Sequence, residues 1–90
     1  HDDEDPMVRP LPNGESLVDA GMAISEFNDH FETKLDEEEF DTVGGFLFGI
    51  LEHVPVTGES LEIDGWRFVV DELEGRRITK VRVLPVVDVE

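Results

Sequence analysis

Ninety residues make one small domain, able to bury only about two-thirds of the surface its unfolded chain would expose. With 39% hydrophobic and 33% charged residues the composition is globular, but a formal charge of −16 opposes binding to nucleic acid or to an anionic membrane surface, since both need Lys and Arg to meet phosphates. The chain has no cysteine, which excludes disulfides, thiolate chemistry and cysteine-based zinc sites.

The acidity is uneven. Positions 1 to 59 carry 16 acidic and 2 basic side chains, and positions 60 to 90 carry 7 and 5, so the negative field belongs mainly to the first two-thirds. It reads either as this lineage's surface or as an adaptation to high salt. The chain lacks a Met at position 1, a signal peptide and an apolar run of about 18 residues, and is expected to be a fragment of a longer protein without direct membrane insertion.

His1 to Asn13, HDDEDPMVRPLPN, joins an acidic cluster to three prolines with little apolar periodicity, which predicts a linker over 1–13 and a domain over 14–90. Ser16 to Asp19 is a short strand candidate closed by Gly21. Ile24, Phe27, Asn28 and Phe31 recur at helical spacing, with Ser25 or a neighbour as the cap. The acidic run Asp36, Glu37, Glu38, Glu39 then leads to a second helix, capped by Asp41 or Thr42.

That second helix lies in FDTVGGFLFGILEHVP, Phe40 to Pro55, with Pro55 and Gly58 as its stop signals. Val43, Phe46, Leu47, Ile50, Leu51 and Val54 share one arc with Phe40, and Thr42, Gly45 and Gly49 lie opposite. Each helical glycine costs about 1 kcal/mol relative to Ala, so Gly44, Gly45 and Gly49 predict the close approach of a backbone or a large ring. Gly45 and Gly49 are the candidate close-approach surface.

From Ser60 the period changes to two. Leu61 and Ile63 alternate with acids, Asp64-Gly65 supplies a tight turn, Trp66, Phe68 and Val70 return, and a turn at Glu74-Gly75 leads into Arg76 to Leu84. Ile78 is out of parity with Val81 and Val83, which predicts a bulge, twist or edge. The expected fold is an α+β two-layer domain of order β-α-α-β-β-β, an antiparallel meander covered by two helices.

No catalytic constellation stands out. Ser16, Ser25 and Ser60 lack a nucleophile-elbow context that would pair them with His30 or His53, and the glycines match no phosphate-cradling motif. Asp36 to Glu39 is a contiguous acidic run without the alternating spacing of a calcium loop, so it is expected to screen cations weakly rather than hold a metal. Arg67, Arg76, Arg77, Lys80 and Arg82 form the basic concentration, either a solvated sheet face or a docking surface for an acidic partner, a neighbouring domain or a second copy. Trp66 beside Gly65 is an interface candidate whose position favours the core.

Three segments, GESLVDAGMAISEFN, FDTVGGFLFGILEHVP and GESLEIDGWRFVVDELEGRRITKVRV, in this order and spacing, resemble the transporter-associated domain of the CorC/HlyC family over about Gly14 to Leu84. HDDED resembles the tail of the acidic linker that follows paired CBS domains in that family. Where the family often has Gly and then Arg-Ile-Pro, this chain has Leu51, Glu52, His53, Val54 and Pro55, which removes one basic group. The resemblance implies a non-catalytic regulatory or interaction domain on the cytoplasmic side of a membrane-bound or membrane-associated protein. That protein would act in magnesium and cobalt efflux or tolerance, and the domain's partners would be its CBS and membrane domains or a second copy. No cofactor is expected. The family's fold also resembles the FAD-binding domain of certain flavin oxidases, so binding of FAD or a nucleotide against the glycines is the alternative.

Overall fold

In the computed structural model, which describes residues 7–86, Val8–Pro10 (β1) lies antiparallel to Ser16–Asp19 (β2), with Val8 opposite Val18. A 3₁₀ turn at Pro12–Gly14 reverses the chain between them. The second of these strands is the expected one. The first corrects the expectation of a linker up to Asn13, since residues 8–10 belong to the sheet and Val8 is buried. An edge strand needs only one side of its backbone paired, so Pro10 is tolerated there. Residues 1–6 of the expected linker lie outside the described residues.

The two helices are Ile24–Phe31 (α1) and Val43–Leu51 (α2), and their first turns are tied to each other. The Ile24 N–H donates to the Asp41 carbonyl and the Val43 N–H to the Met22 carbonyl, both at 3.0 Å, around an antiparallel bridge between Ala23 and Thr42. This tertiary pairing replaces the side-chain cap expected from Ser25, which sits inside the helix; the N-cap is Ala23, with no side-chain bond. Thr42 caps α2 as predicted, its Oγ1 accepting from the Gly45 N–H at 3.1 Å.

Helix α2 ends earlier than Pro55 and Gly58 suggest. Glu52 takes a left-handed φ of 59° and turns the chain away after Leu51. Only the first half of the predicted arc is therefore buried: Val43, Phe46 and Leu47 enter the core, whereas Ile50 and Val54 stay exposed. The α1 face does close, through Ile24, Phe27 and Phe31. Phe27 stacks on Phe31 at 4.3 Å between ring centroids and approaches Phe68 of the sheet at 5.5 Å.

Ser60–Ile63 (β3), Trp66–Glu74 (β4) and Arg77–Pro85 (β5) form the expected meander. Asp64 (φ 54°) and Gly65 (φ 83°) both adopt positive φ, as a type I′ hairpin requires. The out-of-parity Ile78 is resolved by register shifts: Val70 faces Val81, Glu72 faces Lys80 and Leu73 faces Ile78. The irregularity restores Ile78 to the buried side, with Val81 and Val83. Strand β2 joins the free edge of β5, giving a five-stranded antiparallel sheet of order β1-β2-β5-β4-β3. The element order is β-β-α-α-β-β-β, the predicted α+β layers with one more strand.

Candidate functional site

The three helical glycines of α2 meet three different surroundings. A Cβ on Gly44 would lie 2.9 Å from the Ala20 Cβ and 3.2 and 3.3 Å from the carbonyl oxygens of Ala20 and Ile78, so this glycine lets the helix seat against neighbouring backbone. A Cβ on Gly49 would meet the Phe40 ring at 2.5 Å. The expected close backbone and large ring are met at Gly44 and Gly49 respectively, whereas Gly45, named with Gly49 as the close-approach surface, meets neither. Phe40 itself packs over the glycine side, edge-on to Phe46 at 5.5 Å, and not along the opposite arc where the helical wheel places it. Gly45 is exposed, with only the Thr42 Oγ1 near its Cβ direction.

Gly45 opens onto a groove of about 1050 Å³ between the start of α2, the residues after β2 and the β4–β5 hairpin. Thr42, Gly45 and the exposed ring of Phe48 line the helix side, Asp19 to Gly21 one end, and Arg76, Arg77 and Lys80 the hairpin side. The groove thus unites two features far apart in the chain, the glycine back of the helix and part of the basic concentration. Three of the seven Lys and Arg side chains meet here.

The basic residues divide sharply by partner. Arg67 is bonded to Glu62 at 2.5 Å, and Arg82 reaches Glu15 at 3.8 Å and Asp71 at 3.4 Å, so both are held by neighbouring acids. Arg77 has a long contact to Glu74 at 3.6 Å in which both side chains are about three-quarters exposed. Among the described residues Arg76 and Lys80 have no ion-pair partner. Trp66 stands apart from the groove, half-buried and edge-on to Phe31 at 5.0 Å, a core contact.

Helix N-termini bind anions through unpaired N–H groups, but here those groups are spent. The Val43 N–H goes to Met22, the Gly44 N–H to the Ala20 carbonyl at 2.9 Å, the Gly45 N–H to Thr42 Oγ1 and the Phe46 N–H to the Thr42 carbonyl at 2.9 Å. An anion in the groove is therefore left without the N–H groups of the first turn of α2.

The acidic run forms a separate, exposed turn. Asp36 Oδ1 accepts from the Glu38 and Glu39 N–H groups at 2.8 and 3.3 Å, and Glu37 Oε2 accepts from Asn28 Nδ2 at 3.0 Å. Sequence reading missed Asn28 as the organiser of this turn, because its position in the helical repeat placed it among core residues. His53 contacts Glu59 at 2.5 Å and His30 lies against Phe31, so neither meets a serine. The Val56 N–H holds the Glu59 carboxyl below its usual range against the opposing desolvation, with a further lowering from His53. Among the described residues no group of three His, Asp or Glu side chains converges as a metal site.

Residues 9–87 match the family described as the CorC_HlyC transporter associated domain. The magnesium and cobalt efflux protein CorC of Salmonella typhimurium is 38% identical over 84 residues, covering 92% of this chain and 29% of that protein. The chain thus spans under a third of its curated relative. A solved CorC-associated region of a putative magnesium and cobalt transporter from Neisseria meningitidis superposes with a TM-score of 0.84 at 30% identity, covering 89% of this chain and 99% of that one. The domain from a Xylella fastidiosa hemolysin, solved with magnesium and manganese, has the same fold with a TM-score of 0.82 at 22% identity, over 90% and 99% of the two chains. A CorC-type sequence carried on the same sheet-and-helix frame places this chain in the CorC/HlyC transporter-associated domain family.

Proposed function

We propose that this chain is a non-catalytic regulatory and interaction domain of a CorC/HlyC-type protein that takes part in magnesium and cobalt efflux or tolerance. It acts from the cytoplasmic side by contacting the CBS and membrane domains of its parent. The observation that carries the reading is the 38% identity to a magnesium and cobalt efflux protein of which it matches only a part, as a module would. The geometry supports it, since the groove is open, with cations on one wall and, among the described residues, no nucleophile paired to a base. Among the described residues no helix is long and apolar enough to cross a membrane, so attachment falls to other parts of the parent.

The FAD or nucleotide reading rests on Gly44, Gly45 and Gly49 and on fold analogy; Gly44 and Gly49 already face Ala20 and Phe40, and the N–H groups of the first turn of α2 are already bonded, which weighs against it. The exposed acids Asp36 to Glu39 draw divalent cations diffusely. Deleting residues 7–86 from the parent, with membrane levels checked by blotting, tests the reading: cobalt and magnesium tolerance should drop. Unchanged tolerance would overturn it. Calorimetry of the domain with FAD, AMP, ATP and magnesium chloride should be silent.

A further inference from the structure

We infer that the groove between α2 and the β4–β5 hairpin docks a short acidic polypeptide segment that carries an apolar anchor residue and belongs to another domain of the parent protein. The inference rests on the interaction-domain reading above and names the surface and the partner's chemistry. The anchor sits over Gly45 against Phe48, and the acidic side chains reach Arg76, Arg77 and Lys80.

Three observations lead here. The first is charge. In a chain of −16, Arg67 and Arg82 are engaged by acids, whereas Arg76, Arg77 and Lys80 cluster on one groove wall: Arg76 and Lys80, like Arg9 and Lys34 elsewhere, have no ion-pair partner among the described residues, and Arg77 holds Glu74 loosely. The second is spacing. Arg77 and Lys80 are three residues apart on a strand, about 10 Å at a rise of about 3.3 Å per residue, which suits carboxylates spread along an extended segment better than a single phosphate. The spent N–H groups of α2 remove the backbone cradle that a phosphate would use.

The third is the floor. Phe48 is 38% exposed at the groove, and Gly45 lines the same groove without a side chain. An apolar anchor beside charged contacts is the usual make-up of a docking site, in which the anchor supplies affinity and the charges supply register. The occupant is short, because a long polyanion such as nucleic acid would meet the charge of the whole domain and be repelled.

The test is fluorescence anisotropy on the 90-residue chain with a labelled synthetic peptide of aspartate and glutamate around one leucine. The control peptide replaces the acids by Asn and Gln. The acidic peptide should bind, and binding should weaken as salt rises. Arg76→Ala, Arg77→Ala and Lys80→Ala together should weaken it at least about tenfold, the scale of three exposed charge pairs. Gly45→Val should weaken it by filling the floor, whereas Arg9→Ala, on the edge strand, should leave it unchanged. Equal denaturation midpoints for the triple variant and the unmodified chain separate lost docking from lost folding.

Equal binding of both peptides, no binding, or indifference to the triple variant would overturn the inference. So would preferential binding of inorganic phosphate, ATP or phosphatidylserine vesicles at the same three side chains. Absent peptide binding together with a tolerance defect on deleting the domain sinks the groove and leaves the regulatory reading standing; peptide binding with normal tolerance does the reverse.

Discussion

The Gly44 N–H donates to the Ala20 carbonyl at 2.9 Å, and a Cβ on Gly44 would stand at the same 2.9 Å from the Ala20 Cβ. The helix start is thus locked to the end of the β2 segment by a bond that only glycine leaves room for. Gly44→Ala gains about 1 kcal/mol of helix propensity but must push two backbone carbonyls aside, and a net loss of about 1–3 kcal/mol is expected. At Gly49 the obstacle is the end of the half-buried Phe40 ring, which can swing, so Gly49→Ala should fall within about 1 kcal/mol of the original. Urea denaturation of both variants decides the point, and equal losses would refute the distinction.

Asn28 holds the turn after α1 with all of its amide. Its Oδ1 accepts from Thr33 Oγ1 at 2.7 Å and the Leu35 N–H at 2.9 Å, while Nδ2 donates to the Leu35 carbonyl at 3.1 Å and to Glu37. Asn28→Ala leaves both backbone groups of buried Leu35 without these partners and should cost about 1–3 kcal/mol. Amide exchange at Leu35 should quicken well ahead of exchange at Val81 in the central sheet. Unchanged Leu35 protection would contradict the role given to Asn28.

Glu59 closes the loop between α2 and β3 by accepting from the Val56 N–H at 3.1 Å and contacting His53. Its carboxyl is held below the usual range, by the Val56 N–H first, so the ionised form favours the folded state. That contribution is complete above the unfolded pKa of about 4.3 and is lost as pH falls through the depressed folded value. The unmodified chain should therefore exceed Glu59→Gln in denaturation midpoint at neutral pH, with the gap closing on acidification below about pH 4. A gap constant across the series would rule out the linkage.

With a formal charge of −16 the folded state repels itself, and screening should relieve this. The melting temperature should rise from low salt to about 0.15 M, where the Debye length is about 8 Å. A flat or falling curve would mean that the local pairs, such as Arg82 with Glu15 and Asp71, outweigh the net repulsion.

Much of the frame was legible because its signals are local. The Asp64-Gly65 turn, the alternation on either side of it, the Phe27 and Phe31 face of α1 and the Thr42 cap each depend on residues a few positions apart. Even the break in parity at Ile78 announced the register shift. The candidate site was legible only in halves, as glycines near position 45 and as cations near position 77, with nothing in the spacing to join them.

By itself the sequence determined the kind of each main element, a close approach somewhere along the three glycines of α2, and the family, since periodicity, turn chemistry and motif order are written along the chain. Only the tertiary structure decided that residues 8–10 pair as a strand, that α1 starts on the Asp41 carbonyl instead of a side-chain cap, and that α2 stops at Leu51. It also decided that Arg76, Arg77 and Lys80 face Gly45 across a groove. Each of these depends on a partner distant in sequence or on a backbone turn that no side chain announces, and such choices are made when the sheet and helices close on one core.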